Sequence, residues 1–430
     1  VLWAEKPKRQ VEIGVDADVS MVNNFFGISD IFNRDRTIIF DPARLSKSGL
    51  RLYSAADSEA FLNINFGEKF GLGLFFGVDA AMHGDVSGEF FRFLAEGNKD
   101  MREFTVSMSG GASVFADAGL KTAFRFGKLK LGFTPAIYVP LLYMPPPDMR
   151  YHVDTRRGLK ANISLDASAY TPFPLDWFTD QFESSDSGSS GSKNSGSYSK
   201  NNSTGSNKSK GRNFPDTGDI MKAFNAWGLD LSVEAEYALN SGWDLGGSIV
   251  SIPLRPSTLR YGIEYHMDID MDFFGKNGPL GNLSGDKSAA PGKSSGEDED
   301  FFEIDPPTAR NDLAFRAFRP LRFDFYANYR PLDTQLIVLR PNIGFSALTV
   351  YGYDKACFNA GLEAQLNLKR VFSVSLGTGY REKLWRHGLN LMLNLRVLEL
   401  DLGVSLQSQD FAGSFRIQGA GAHVGFRLGF

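Results

Sequence analysis

Residues 398–407 read Leu-Glu-Leu-Asp-Leu-Gly-Val-Ser-Leu-Gln. The even-numbered positions are all apolar, and the odd-numbered positions are charged, small or polar. Because neighbouring side chains of a β-strand point to opposite faces, this alternation predicts a strand with one apolar and one polar face. The same alternation recurs along most of the chain, so the sequence predicts an all-β protein.

The length of these alternating segments predicts their environment. Most run for about 10 to 14 residues, whereas a strand of a soluble protein has about 5–6 and a strand crossing a bilayer needs about 9–11. We therefore predict a transmembrane antiparallel β-barrel of about 14–16 strands, with its apolar face toward lipid and its polar face toward a wet lumen. The predicted strands are 11–21, 60–66, 70–82, 112–126, 128–142, 159–170, 227–239, 243–251, 257–273, 320–330, 336–348, 356–368, 371–381, 386–396, 398–408 and 420–430.

The remaining segments predict an N-terminal unit and long surface loops. Residues 22–49 break the alternation, so we divide the chain into residues 1–49, an N-terminal segment and possible hatch, and residues 50–430, the barrel. Residues 184–212 and 275–300 are rich in Ser, Gly and charged side chains, which predicts disordered surface loops. A short amphipathic helix is predicted at 87–95.

Composition argues against several classes of protein. The net charge of −4 lacks the basic excess of a nucleic-acid binder, and the single cysteine, Cys357, excludes an intrachain disulfide. No apolar window reaches 18 residues, so no transmembrane helix is predicted. The start of the chain, up to Ala4, is interpreted as the tail of a signal peptide, with the mature chain beginning near Glu5.

No motif predicts an enzyme, a cofactor or a metal site. The G-x-S-x-G match at residues 292–296 lies in a Ser- and Gly-rich loop, without the strand and helix that a nucleophile elbow needs. The aspartates of 268–272 alternate with apolar residues and lack the glycine of a calcium loop. We therefore predict no catalytic residue, no cofactor and no bound metal.

The last residues of the chain resemble an assembly signal. Val424, Phe426, Leu428 and Phe430 alternate with polar residues and glycines, and the chain ends on the aromatic side chain. This pattern resembles the C-terminal signal of bacterial outer-membrane proteins. The resemblance implies the bacterial outer membrane as the location, and its lipid and the barrel-assembly machinery as partners.

Within that class the chain resembles the long-chain fatty-acid transporter (FadL-type) family. Asp41-Pro42-Ala43 follows the irregular segment at a place comparable to the Asn-Pro-Ala motif of that family's N-terminal hatch. The Asn is replaced by Asp, and the alternating residues 11–21 precede the segment. The resemblance implies uptake of small, hydrophobic, fatty-acid-like molecules past a hatch. The hatch surface would consist of Phe25, Phe26, Ile28, Ile31 and Phe32, which would otherwise anchor a surface cap.

Two alternatives remain open from the sequence. The first is a general diffusion porin for polar solutes, whose selectivity would depend on charged side chains in the lumen. The second is a surface-exposed adhesin or structural barrel that transports nothing. A wide lumen favours the porin, a segment packed in the bore beside an apolar pocket favours the transporter, and a bore closed by side chains favours the structural barrel. The predicted lumen-facing polar residues are Glu264, His266, Asp268, Asp270, Arg322, Arg330, Arg396 and Arg427.

Overall fold

The protein was analysed as a computed structural model. It describes residues 9–25, 27, 45–96, 103–154, 160–173, 223, 225–272, 308–311, 313–331, 336–347, 356–368 and 371–430. The strands of these parts are β1 (Val11–Asn23), β2 (Leu50–Phe66), β3 (Phe70–Val86), β4 (Glu103–Phe126), β5 (Leu129–Met144), β6 (Asp148–Asp154), β7 (Lys160–Thr171), β8 (Gly228–Ala238), β9 (Trp243–Arg255), β10 (Ser257–Leu259), β11 (Tyr261–Asp272), β12 (Thr308–Arg310), β13 (Phe315–Ala317), β14 (Leu321–Tyr329), β15 (Ile337–Ala347), β16 (Cys357–Leu368), β17 (Phe372–Arg381), β18 (Leu384–Leu395), β19 (Leu398–Ser408) and β20 (Gly419–Gly429). The helices are α1 (Gly88–Glu96) and α2 (Phe411–Ser414).

A closed ring of antiparallel strands forms the wall. In the described residues the pairing runs through fourteen strands, β1–β5, β8, β9 and β14–β20. It closes where β20 pairs with β1, from Gly429 opposite Glu12 to Gly419 opposite Val22. Closure removes the unpaired edges of a sheet. The predicted all-β antiparallel barrel is confirmed, with a ring inside the predicted range of strand number.

The outer face of the ring is apolar, as the alternation predicts. Large apolar side chains are exposed on every second position of the wall strands and form a continuous belt. Exposure of such a belt to water would be unfavourable, whereas in a bilayer the belt contacts the acyl chains of the lipid. The belt includes Ile13, Val15, Val19, Met21, Leu62, Leu74, Phe76, Ile343, Leu362, Leu376, Leu402, Val404, Val424 and Phe426. This architecture is that of a transmembrane β-barrel. No helix among the described residues is long and apolar enough to cross a membrane.

Aromatic side chains border the belt at both ends. At one end Phe70 lies 5.6 Å from Phe66 and 5.2 Å from Phe124, between ring centres. At the other end Trp385 lies 5.1 Å from Phe411, which belongs to α2. Transmembrane barrels carry girdles of aromatic side chains at both membrane interfaces, so these two clusters mark the membrane boundaries.

The two ends of the barrel differ in their connections. Turns of a few residues, such as 67–69, 127–128 and 396–397, lie at one end, together with the pair Gln10 and Phe430, whose backbones are joined by a hydrogen bond. We call this the short-turn end. The longer connections lie at the opposite end, the loop end, which in outer-membrane barrels faces outward.

A second sheet stands at the loop end. Residues 103–108 of β4 extend beyond the part that pairs with β5, and they pair with β6. Strand β6 pairs with β7, and β7 pairs along its length with β11. Short strand β12 extends this side sheet beyond β11. Helix α1 packs on one face through Phe90 and Phe93, beside the buried Val106. The side sheet therefore has its own small apolar core.

Three sequence-based assignments change in the structure. The predicted strands 159–170 and 257–273 belong mainly to the side sheet, not to the wall, because the backbone of β5 pairs directly with β8. Strands β2 and β4 begin about ten residues earlier than predicted, since small and polar side chains there obscure the alternation. Strand β1 pairs with β2 and β20, so residues 11–23 are part of the wall although the predicted division at residue 49 separates them from the barrel. The short helix predicted at 87–95 is confirmed as α1.

Candidate functional site: the lumen and its loop-end mouth

The inner face of the wall carries charged side chains in register. Asp18 of β1 lies opposite Asp57 of β2, and Asp57 lies opposite Asp79 of β3. All three belong to the inward positions of their strands, because the belt residues occupy the alternate positions. Like charges placed side by side on neighbouring strands repel each other. This row is therefore a place where the lumen favours positive charge.

Opposite charges pair elsewhere in the lumen. Lys130 Nζ lies 2.6 Å from Glu236 Oε1, and Lys121 pairs with Glu59. The hydroxyl of Tyr326 lies 3.2 Å from carboxylate oxygens of both Glu234 and Glu236. These contacts link neighbouring strands and fill part of the bore with polar side chains.

The closing seam of the barrel has its own ion pairs. Arg427 of β20 contacts Asp16 of β1 at 3.0 Å through both carboxylate oxygens, and Glu399 of β19 at 2.6 Å. The guanidinium of Arg9 lies nearby, 3.8 Å from Glu399. Three strands are thus joined at the seam by side chains as well as by the backbone.

The predicted lumen residues fall into two groups. Arg427, Arg330 and Arg322 lie on inward positions of the wall, where Arg330 pairs with Asp244 and Arg322 Nε lies 3.6 Å from Glu382. Arg396 belongs to the short turn between β18 and β19, and its backbone carbonyl accepts a hydrogen bond from Arg9.

The other four predicted lumen residues lie on β11. Glu264 and His266 belong to β11 in the side sheet, not to the closed ring, and they contact Arg310 and Asp166. The backbones of residues 268 and 270 continue the same strand, but their side chains lie outside the described part of the chain. The period-2 pattern of β11 is that of a wall strand, so the sequence alone does not separate the two sheets.

A segment that the sequence analysis did not single out enters the lumen. Residues 313–320, which we call the strap, precede β14 and contain β13. β13 pairs with β10, and Leu259 of β10 and Ala317 of β13 are fully buried. The inward-facing Tyr138 of β5 donates a hydrogen bond to the carbonyl of Ala317 at 3.1 Å. The strap therefore packs against the inner surface of the wall.

Aromatic stacking adds to this attachment. Phe315 stacks on Tyr170 with ring centres 4.0 Å apart, and Tyr143 lies 5.4 Å from Phe315. Phe115 and Tyr138 complete a buried aromatic cluster with these rings. Such pairs stabilise beyond the area that they bury.

The charged end of the strap reaches three strands of the wall. Arg319 Nη1 lies 2.7 Å from Asp117 Oδ2 of β4 and 3.4 Å from Asp230 Oδ2 of β8. Its Nη2 lies 3.5 Å from Asp79 Oδ2 of β3. The side chain of Arg319 is 15% exposed. One guanidinium thus bridges three carboxylates at the level of the acidic row.

The predicted hatch lies partly within the described residues. Phe25 is buried beside Leu45 and Phe91 of α1, at the loop end. The side-chain amide of Asn24 donates to the carbonyl of Gly49 at 2.7 Å, so the two ends of the segment are tied together. The other predicted hatch residues lie outside the described residues: Phe26, Ile28, Ile31, Phe32, Asp41, Pro42 and Ala43. The hatch remains a prediction.

An open apolar cavity of about 260 Å³ lies at the loop end, where the wall strands β2, β3 and β4 continue into β6 and β7 of the side sheet. Helix α1 covers the apolar face of the side sheet at Val106 and Val153. The cavity lies over the adjoining part of the same face, at Met149 and Leu165. Its exposed lining is almost wholly apolar. The lining residues are Leu50, Leu52, Gly84, Asp85, Val86, Met108, Ser109, Gly110, Pro147, Met149 and Leu165.

The cavity opens on the outer side of the wall. Leu52 and Gly84 lie opposite each other on outward positions of β2 and β3, and Met82, two residues below Gly84, is 56% exposed in the belt. The cavity is therefore continuous with the lipid-facing surface. Its position depends on the extension of β2, β3 and β4 beyond the membrane boundary, which the sequence pattern does not reveal.

The C-terminal residues lie where the predicted assembly signal requires. Val424, Phe426 and Leu428 point outward from β20, and Phe430 is 76% exposed at the short-turn end. Their recognition by the assembly machinery remains a prediction. Among the described side chains, no group of three or more His, Cys, Asp or Glu is arranged to hold a metal ion.

Comparison with known proteins gives structural neighbours only. No protein-family model and no curated protein matches the sequence. The toluene transporter TodX of P. putida is 8% identical and has a TM-score of 0.45, over 99% of this chain and 91% of that one. The toluene transporter TbuX of Ralstonia pickettii is 7% identical with a TM-score of 0.45, over 99% and 90%. A FadL homologue of Pseudomonas aeruginosa is 9% identical with a TM-score of 0.48, over 98% and 91%.

Proposed function

We propose that this outer-membrane barrel takes up small hydrophobic molecules, which first bind in the apolar cavity at the loop end. The observation that carries the proposal is the cavity itself. Apolar molecules gain free energy roughly in proportion to the apolar area that leaves water. Leu52, Val86, Met108, Met149 and Leu165 provide such a surface around one space.

The size of the cavity indicates the class of ligand. Sites for drug-sized ligands have about 300–1,000 Å³, and this cavity has about 260 Å³. It accommodates a small apolar molecule, such as a single aromatic ring or a short hydrocarbon. A long acyl chain would have to extend from the cavity along the belt.

A binding experiment tests the cavity directly. Gly84 lines it, and a Cβ placed there meets nothing within 4 Å, so Gly84→Leu fills space without a backbone clash. Radiolabelled toluene is the first probe and radiolabelled palmitate the second, each measured by equilibrium dialysis against the protein in nanodiscs. We expect Gly84→Leu to weaken toluene binding about tenfold or more, because a leucine side chain occupies the space of the ligand.

The matched control is Ala60→Leu on the same strand pair. Ala60 lies on an exposed outward position of β2, outside the cavity. Ala60→Leu should bind both probes as the parent chain does. Equal binding by the parent, Gly84→Leu and Ala60→Leu would contradict the cavity as the site. Binding of palmitate that competes with toluene would support a fatty-acid-like substrate.

A non-transporting structural barrel is the second candidate. The observation that favours it is the strap, because a segment packed in the bore restricts passage. The discriminating measurement is uptake: a structural barrel would give no more toluene uptake by cells than an empty vector, even when the cavity binds toluene. A diffusion porin would instead give steady ion conductance from the parent chain.

A further inference from the structure

The strap crosses the lumen to reach its ion pairs. Along the wall, β3 is five strands from β14, through β9, β8, β5 and β4. Five strand spacings amount to about 24 Å. Arg319 precedes β14 by two residues, whose backbone spans at most about 7 Å, and even with the length of its side chain this reach is shorter than the path along the wall, yet its guanidinium contacts Asp79 of β3. The contact therefore runs through the lumen and not along the wall.

The strap is fixed at two points that differ in chemistry. Ala317 and Phe315 hold one part through a hydrogen bond and aromatic stacking on the inner surface of β5 and β7. Arg319 holds the other part through carboxylates alone. Loss of the guanidinium would therefore release the charged end while the aromatic attachment persists.

The carboxylates that would lose their partner are all negative, whereas the lumen cations Lys121, Lys130 and Arg322 already pair with other carboxylates. Without Arg319, the carboxylates of Asp79, Asp117 and Asp230 repel one another, and Asp57 and Asp18 extend the same row on the inner wall. A low-dielectric channel lined by one sign of charge concentrates ions of the opposite sign. The opening that forms would thus favour cations.

We propose that Arg319 is the residue that closes the polar lumen to ions, by locking the strap onto the carboxylates of β3, β4 and β8. In this role the guanidinium has two effects. It holds the strap across the bore, and it neutralises the carboxylates that would otherwise attract cations. The parent barrel is then silent toward salt even though its lumen is polar.

The test is single-channel recording of the full chain in planar bilayers, in KCl. The parent chain should show no steady conductance. Arg319→Gln should show resolved steps, and its reversal potential in a KCl gradient should report a preference of about threefold or more for K⁺ over Cl⁻. Asp117→Asn combined with Arg319→Gln should conduct with a smaller cation preference, because one of the three carboxylates is neutralised.

Arg330→Gln is the matched control. It removes the same charge from the position directly after β14, at the opposite end of that strand from the strap, where Arg330 pairs with Asp244. It should be as silent as the parent. Heat-modifiable mobility on a gel shows whether each variant is folded. If Arg319→Gln does not fold, Asp117→Asn with Asp230→Asn removes two partners from the wall side and should conduct.

Three results would overturn the proposal: large steady steps from the parent, silence from folded Arg319→Gln, or equal opening by Arg330→Gln. None of these depends on the apolar cavity. Loss of toluene binding in Gly84→Leu with an unchanged silent lumen would support the proposed function alone. Ion conductance by Arg319→Gln without any toluene binding would support only the proposed role of Arg319.

Discussion

At the scale of single residues, the closing seam of the barrel depends on charges that are buried in a membrane protein. Arg427 is 18% exposed and Glu399 only 1%, so neither group is well solvated. A buried charge that loses its partner is left without compensation, whereas an exposed pair gains little. The alternation of β19 and β20 predicts that these side chains face inward. It does not predict that Glu399 lies opposite Arg427, since register depends on the whole closed ring.

Arg427→Ala should therefore destabilise the barrel strongly. It leaves Asp16 and Glu399 without their guanidinium, and we expect a loss of about 3 kcal/mol in the free energy of unfolding. Urea unfolding of the protein in vesicles, followed by tryptophan fluorescence, measures the loss. Arg51→Ala is the control, because Arg51 and Asp85 are 41% and 36% exposed, and it should cost less than about 1 kcal/mol. Equal losses in the two variants would refute the role of the seam pairs.

At the scale of elements, length and alternation predict the wall well and the loop end poorly. The predicted strand 398–408 matches β19, because its apolar face meets lipid for its whole length. Strand β6 was missed, and β11 was assigned to the wall, because a side sheet with its own apolar core shows the same period of two. The strap was missed because its contacts are between residues far apart in sequence. No signal in residues 313–320 separates it from a surface loop.

The hairpin between β17 and β18 gives a prediction at this scale. Its turn residues Glu382 and Lys383 have φ of 50° and 67°, a conformation that costs a residue with a Cβ about 1 kcal/mol or more. Lys383→Gly should stabilise the barrel by somewhat less than about 1 kcal/mol, because glycine also loses more entropy on folding. Gly67 has φ of 67° in the turn between β2 and β3, and a Cβ there meets no atom within 4 Å.

Gly67→Ala is the matched variant, for which we expect a change of opposite sign in the free energy of unfolding. It should destabilise by about 1 kcal/mol through backbone strain alone. Both changes are measured as shifts of the urea midpoint in vesicles. Destabilisation by Lys383→Gly would show that contacts of the lysine side chain outweigh the strain of the turn.

At the scale of the whole molecule, two regions of opposite character meet at the loop end. The cavity opens toward the lipid-facing belt, and the polar lumen is crossed by the strap. In the proposed function, a hydrophobic molecule would therefore bind on the outer side of the barrel and not in the charged bore. The sequence predicted the barrel and its membrane environment. It did not predict the cavity, because β2, β3, β4, β6 and β7 contribute to it from distant parts of the chain.

The most direct test of the central claim is the initial rate of radiolabelled toluene uptake by cells that carry the parent chain, Gly84→Leu, Ala60→Leu or an empty vector. Equal amounts of folded protein in the outer membrane are verified by heat-modifiable mobility. The account predicts faster uptake with the parent and with Ala60→Leu than with the vector, and a rate near the vector level with Gly84→Leu. A Gly84→Leu rate equal to that of the parent, or a parent rate equal to that of the vector, would contradict it.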